Sequence, residues 1–213
     1  MLSRPVHQFT PGAAEGPSEA PAAFGRRRAT TVALLSHTGL QLFLERGFEA
    51  TTVDDIAAAA GIGRRTFFRY FASKNDLPWG DFDLLIGEMR DRLDRTAPEL
   101  PLFEALRAAV LDFNSYPEAE LPYHRQRMEL LLNVPALAAH STLRYEAWRQ
   151  AIADYAALRL GAAPGDLAPQ TIGWAFLATS LAAYEQWLRH DDADLVELLD
   201  AALEVLRELV SGS

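Results

Sequence analysis

Within residues 51–71, TTVDDIAAAAGIGRRTFFRYF, two segments of helical periodicity stand only three residues apart. The first opens on Thr51 and Thr52, both candidate N-caps. It carries Asp54 and Asp55 in the turn where the helix dipole favours anions, and it spaces Val53, Ile56, Ala57 and Ala60 as one apolar stripe. Gly61-Ile62-Gly63 follows, and then RRTFFRYF. A linker that short makes the second helix cross the first at a steep angle, so the pair reads as a helix-turn-helix. Advancing about 100° per residue from Arg64 puts Phe67 and Phe71 side by side on the inner face with Ile62 beneath them, and Arg65, Thr66 and Arg69 on the opposite face. Arg64, Phe68 and Tyr70 flank that face.

The charge of the chain makes this face unusual. The 213 residues carry a formal net charge of -9, yet residues 24–74 hold eight basic against four acidic groups. Residues 75–213 hold eleven against twenty-three. Segregation of this kind suggests a nucleic-acid-facing module attached to an acidic body. A helix about 10–12 Å across fits the B-DNA major groove, where Arg can donate twice to guanine and Thr can meet a thymine methyl, while Tyr or Lys can hold phosphates. A merely solvated helix would display the same arginines. The short preceding helix, the three-residue turn and the local positive charge favour a duplex-reading face.

Residues 1–24 are rich in Pro, Gly and Ala and read as a flexible tail. From Arg26 the pattern is helical, with Val32, Leu35, Gly39 and Phe43 on one side, and it stops at Arg46-Gly47. Beyond Ser73, another N-cap candidate, the chain is helical with Pro and Gly breaks, and no segment alternates with period 2. The expected class is all-α, with about nine helices and no internal repeat. No cysteine is present, which excludes disulfides, thiolate metal sites and a cysteine nucleophile. The sequence has neither a signal-peptide core nor an apolar run of membrane-spanning length, so a cytoplasmic protein without a membrane partner is expected.

The run GFEATTVDDIAAAAGIGRRTFFRYFASKNDL, Gly47 to Leu77, resembles the DNA-binding module of TetR-family transcriptional regulators. The resemblance implies a helix-turn-helix domain over residues 25–74 and a helical effector-binding and dimerisation domain over 75–213. It places Thr51 and Thr52 where the family contacts phosphate, and Arg64, Arg65, Thr66, Phe68, Arg69 and Tyr70 on recognition-helix contact positions. Lys74, the only lysine of the chain, falls on the phosphate-binding lysine. Two residues depart from the family pattern. Gly63 stands where a capping Ser is usual, and Phe68 stands where Tyr is usual. The longer stretches GRRTFFRYFASKNDLPWGDFD and RMELLLNVPALAAHSTLRYEAWR are similar to TetR-type regulators associated with mycofactocin biosynthesis clusters. That similarity implies an acyl-CoA or similar acyl thioester as effector, and a repressor acting as a homodimer on a pseudo-palindromic operator.

The acidic body offers material for both further roles. Gln170 to His190 is apolar over most of its circumference, and Leu195 to Val210 carries a repeated leucine stripe, so these helices could pack against their copies in a four-helix dimer bundle. Phe176, Ala183, Trp187, Leu199 and Leu206 are the candidate interface residues; burial within one subunit is the competing reading. Trp79, Phe82, Phe113, Met128, Tyr145, Trp148 and Phe176 are candidates for a ligand pocket, although such residues at helical spacing also build ordinary cores. Arg125 and Arg127 could meet an anionic ligand group or simply be solvated.

Catalytic motifs are not signalled. The five histidines form no i, i+3 or i, i+4 pair, Gly61-Ile62-Gly63 lacks the third glycine of a dinucleotide fingerprint, and Asp54-Asp55 and Asp191-Asp192 read as helix-start charges. No metal, cofactor or enzymatic activity is expected. Two other classes stay open: a helical acyl- or lipid-binding protein without operator binding, and an acyl-thioester enzyme.

Overall fold

In the computed structural model, which describes residues 20–212 and side chains from residue 32 onward, the chain forms nine α-helices and two 3₁₀ segments, with no strand among the described residues. The helices are α1 (Ala20–Arg46), α2 (Val53–Ala59), α3 (Arg64–Phe67), α4 (Phe82–Asp94), α5 (Leu102–Phe113), α6 (Leu121–Asn133), α7 (Pro135–Leu160), α8 (Leu167–Arg189) and α9 (Leu195–Ser211). The 3₁₀ segments are Lys74–Trp79 and Glu118–Glu120. As far as residue 19, the tail expected over 1–24 lies outside the described residues. Its last five residues instead open α1. Ala20, Ala22 and Ala23 are the best helix formers, and Pro21 sits in the first turn, where its missing N–H has no helical partner to lose.

α1, α2 and α3 enclose a small core of Leu35, Phe43, Phe48, Ile56, Phe67 and Phe71, all buried. The 3₁₀ segment Lys74–Trp79 then runs back along α1. Its Leu77 is fully buried at Gly39, where a Cβ would stand 2.6 Å from the leucine Cδ1. Gly39 thus lets the segment lie directly on α1. The larger body is built around α7, which packs on α4, α6 and α8, while α9 covers α8 and reaches α5. Prolines open α6 and α7, consistent with their tolerance at N1 and with the chain break between the two helices.

The interface residues expected on α8 and α9 are mostly placed elsewhere. Phe176, Ala183, Trp187 and Leu199 are buried in the core of one subunit, and Leu206 is half-buried against it. The apolar exposed stripe is a quarter-turn or more away: Trp174, Ala178 and Ala182 on α8, and Ala201, Val205 and Leu209 on α9. Trp174 is 59% exposed and Leu209 72%. A helix apolar nearly all round has two faces to cover, and the residues with closest partners in α5, α6 and α7 were taken inward.

α7 and α8 approach most closely at Gly173, where a Cβ would stand 2.9 Å from the Arg149 carbonyl oxygen. Backbone cannot step aside as a side chain can. Gly173→Ala is therefore expected to lower unfolding free energy by about 1–3 kcal/mol in urea titration. Gly165→Ala, with nothing within 4 Å of the added methyl, should leave it nearly unchanged.

Candidate nucleic-acid interface and ligand cavity

α2 is short and is fixed by its start. Thr52 Oγ1 accepts from Asp55 N at 3.2 Å, and Thr52 N donates to Asp55 Oδ2 at 2.8 Å, closing a reciprocal capping box. Hydrogen bonds from the Thr52 hydroxyl and backbone hold the Asp55 carboxyl below the usual carboxylate range. Thr52 is exposed, as a phosphate contact requires. Thr51 is not. It is fully buried, and its hydroxyl is shared between the carbonyls of Leu42 (3.2 Å) and Gly47 (2.9 Å). The side chain closes the end of α1 and does not face a phosphate.

α3 is a single α-helical turn, shorter than the periodicity predicts. After it the chain tightens, with Arg69 N donating to Thr66 O (3.2 Å) and Tyr70 N to Phe67 O (2.9 Å), while Phe71 N still reaches Phe67 O (3.1 Å). Gly63 provides no side-chain cap, and the aromatics that follow are weak helix formers. The i, i+3 bonds satisfy the backbone in place of a longer helix. The face is nonetheless as expected. Phe67 and Phe71 are buried with ring centroids 5.9 Å apart, Arg64, Arg65, Phe68 and Arg69 are exposed, and Thr66 and Tyr70 are half-buried.

The arginines are held to different degrees. Arg64 Nη1 lies 2.8 Å from Asp54 Oδ2 on α2, and its guanidinium stands 5.4 Å from the Phe68 ring centre. Both charges are largely exposed, so the pair is worth about 0–1 kcal/mol and yields readily to a phosphate. Arg69 donates to the Tyr70 hydroxyl at 3.2 Å and lies over its ring at 5.0 Å. Arg65 has no hydrogen-bond or ion-pair partner among the described residues.

Lys74, expected at a phosphate, is half-buried and bonded within the protein. Its ammonium donates to the carbonyls of Phe48 (2.7 Å) and Thr51 (2.9 Å) and sits 4.3 Å from the Phe48 ring centre. These bonds tie the 3₁₀ segment to the α1–α2 connection. Two residues on, Asp76 is buried and accepts from Ser73 N (3.0 Å), Ser73 Oγ (3.0 Å), His140 Nε2 (2.8 Å) and Arg144 Nη2 (3.2 Å). Burial by itself pushes the Asp76 carboxyl upward, but the bonds from His140, Ser73 and Arg144 outweigh it and hold the group below its ordinary value. The same short segment therefore grips α1–α2 at its start and α7 in its middle.

Its end lines a cavity of about 70 Å³ between α4, α5, α6, α7 and α8. Six of the seven expected pocket residues meet there: Trp79, Phe82, Phe113, Met128, Tyr145 and Trp148. Their rings form a continuous wall, Trp79 to Phe82 at 5.0 Å, Phe82 to Phe113 at 6.3 Å and Phe113 to Trp148 at 6.4 Å. Phe176 is not among the lining residues. It points away and packs on Phe103 at 5.4 Å, while its neighbour Leu177 takes the lining position.

Part of the lining is polar. Tyr184 donates to Asn114 Oδ1 (2.7 Å), so its oxygen accepts from His124 Nε2–H (2.8 Å), leaving His124 Nδ1 to accept from Arg127 Nη2. Asn114 Nδ2 passes the chain on to the Val110 carbonyl at 2.7 Å. Desolvation, reinforced by the Arg127 charge, lowers the His124 pKa to about 2, so the imidazole is neutral and the relay keeps one direction. Burial also pushes the Tyr184 phenol well above its ordinary value. Arg127 itself forms no ion pair with a carboxylate among the described residues and lies 5.7 Å from the Tyr116 ring centre and 5.9 Å from that of Tyr123. Arg125 is turned outward, stacked 4.1 Å from the Trp187 ring centre and bonded to the Trp187 carbonyl at 2.5 Å. Sequence reasoning missed His124, Tyr184 and Asn114. The one available signal was a histidine on the apolar stripe that it shares with Met128 and Leu131.

Comparison with known proteins places this arrangement. Residues 35–77 match the family described as bacterial regulatory proteins, tetR family, and residues 100–211 match the MftR C-terminal domain. A Mycobacterium tuberculosis protein carrying the name mycofactocin biosynthesis transcriptional regulator MftR is 46% identical over 182 residues, covering 85% of this chain and 92% of that protein. The HTH-type transcriptional regulator TcmR of Streptomyces glaucescens is 32% identical over 184 residues, covering 81% of each. Among solved structures, the Thermus thermophilus repressor FadR in complex with lauroyl-CoA superposes with a TM-score of 0.53 at 24% identity, covering 83% of this chain and 93% of that one. A TetR-family regulator from Syntrophomonas wolfei gives 0.63 at 16%, covering 87% and 95%. At these identities the structures establish the fold.

The neutral state of His124 has a consequence for stability. Its folded pKa lies below the unfolded value near 6.5, so its contribution is full above pH 6.5 and is lost as pH falls toward 2. Between pH 7 and pH 5 the loss expected from this group is about 2 kcal/mol. Urea titrations of wild type and His124→Gln at the two pH values should show a smaller decline in the variant.

Proposed function

The chain belongs to the TetR family of transcriptional regulators, and from that premise we propose that it is a homodimeric repressor released from its operator by an acyl-CoA effector. The observation that carries the DNA-binding part is the exposed row Arg64, Arg65 and Arg69, displayed on a short helix anchored by buried Phe67 and Phe71. Arg65 and Arg69 are the base readers in this reading, with Thr66 between them. Thr52, Arg64 and Tyr70 serve the phosphates, and Phe68 offers apolar contact. Thr51 and Lys74 support the module from inside.

The exposed stripes of α8 and α9 support the dimer. Trp174, Ala178 and Ala182 recur every four residues, as do Ala201, Val205 and Leu209, so each helix offers a flat apolar strip to its copy about a two-fold axis. The two α3 helices would then enter successive major grooves about 34–36 Å apart on a pseudo-palindromic site.

The effector reading rests on the cavity, which joins an aromatic wall to a guanidinium with no carboxylate partner among the described residues. An acyl chain suits the first and an anionic group the second. Pockets for ligands of that size hold about 300–1,000 Å³, far more than the cavity offers. An acyl-CoA must therefore select a wider conformation, and a ligand favouring a state that DNA does not is what releases an operator. The lauroyl-CoA held by the Thermus FadR, a structural relative, supports the same class of effector.

Fluorescence anisotropy with the protein's own promoter region tests the reading. A salt-sensitive, sequence-selective complex that weakens on adding a long-chain acyl-CoA is expected, and absence of selective binding would overturn it. Arg65→Ala and Arg69→Ala should each cost about 1–3 kcal/mol on the operator and flatten its sequence preference. Trp174→Glu, which would bury a charge at the two-fold contact, should shift the protein toward monomer in analytical ultracentrifugation.

A further inference from the structure

The buried polar groups that line the cavity can be accounted for one by one. His124, Tyr184 and Asn114 satisfy each other, and the Ser180 hydroxyl donates to the Phe176 carbonyl at 2.8 Å. Two remain without a protein partner, the Trp79 indole Nε1 and the Tyr145 hydroxyl. The Ser141 hydroxyl near Tyr145 donates to the Leu137 carbonyl at 2.8 Å. The two rings meet edge to face, 5.7 Å between centroids, and both residues line the cavity. Buried donors in native proteins are paired almost without exception, and an unpaired couple in a ligand cavity asks for a ligand acceptor.

We propose that Trp79 Nε1–H and the Tyr145 hydroxyl form a two-donor site for the thioester carbonyl oxygen of an acyl-CoA. This rests on the acyl effector reading above and assigns the part of the ligand that the protein reads. The chemistry selects a neutral acceptor. Both donors are uncharged, and Phe82 packs edge to face on Trp79, so a bare carboxylate there would exchange its hydration for neutral donors and aromatic surface. A carbonyl oxygen has two lone pairs and takes both donors. The anionic part of the ligand is left to Arg127, which also lines the cavity. Because Trp79 is the last residue of the segment that begins with Lys74, the carbonyl is bonded to the element that holds the DNA-binding module.

Calorimetric titration of the full-length protein with lauroyl-CoA and with its thioether analogue S-dodecyl-CoA, in which CH₂ replaces C=O, tests the assignment. Wild type should bind the thioester about tenfold more tightly. In the Trp79→Phe/Tyr145→Phe double variant the ratio should fall to near one, with S-dodecyl-CoA affinity retained as the measure of an intact cavity. Tyr145→Phe alone, which removes one hydroxyl and keeps the ring, should give an intermediate ratio and serves if the double variant does not fold. Equal affinities in wild type, or an undiminished ratio in the variants, overturn the two-donor site and leave the acyl effector standing. Binding of neither compound to wild type overturns the effector reading and this assignment together.

Discussion

The Asp76 carboxylate fixes how the two halves of the protein stand to each other. It lies buried in the 3₁₀ segment between them, accepting from Ser73 within the segment and from His140 and Arg144 of α7. A buried carboxylate is tolerated only where donors replace its water, so the segment cannot leave α7 without stranding a charge. Lys74 and Leu77 secure the other side, the ammonium on two carbonyls of the α1–α2 connection, the leucine against the bare Cα of Gly39. Through six residues α1, the α1–α2 connection, α7 and the cavity are mechanically joined.

The cavity beyond that segment divides into two chemistries. Its aromatic wall was legible because Trp79, Phe82, Phe113, Met128, Tyr145 and Trp148 are large, apolar and helically spaced. Its polar wall was not. His124 and Tyr184 are 60 residues apart, and Asn114 lies 70 residues from Tyr184. Each is a single polar residue in an otherwise apolar stripe, which by itself looks like an imperfection of patterning. Only when α5, α6 and α8 converge do the three form a satisfied chain, and a satisfied chain is what a protein interior permits.

The exposed face of α3 and the turn after it shows the same split at closer range. The helical angle separated Phe67 and Phe71 from Arg65 and Arg69 correctly, because sidedness follows from covalent geometry alone. It did not show that α3 would tighten after one turn, nor that Thr51 would turn inward. Thr51 and Thr52 are chemically identical neighbours, and the choice between them is made by the carbonyls of Leu42, in α1, and Gly47, just beyond its end. The Lys74 ammonium is likewise held by carbonyls distant in sequence, those of Phe48 and Thr51.

By itself the sequence determined an all-helical chain, a helix-turn-helix with basic face outward, an acidic helical body and the family to which both belong. The first three rest on local periodicity, turn length and charge, quantities that neighbours in the chain fix among themselves, and the family rests on the resemblance carried by Gly47 to Leu77. Tertiary structure decided which stripe of an all-round apolar helix faces inward, turning Phe176, Ala183, Trp187 and Leu199 into core and leaving Trp174, Val205 and Leu209 outside. It also decided which polar groups find partners, and so left Trp79 Nε1 and the Tyr145 hydroxyl without one. Burial and hydrogen bonding at these sites depend on surfaces contributed by helices distant in sequence, and no periodicity within one helix contains that information.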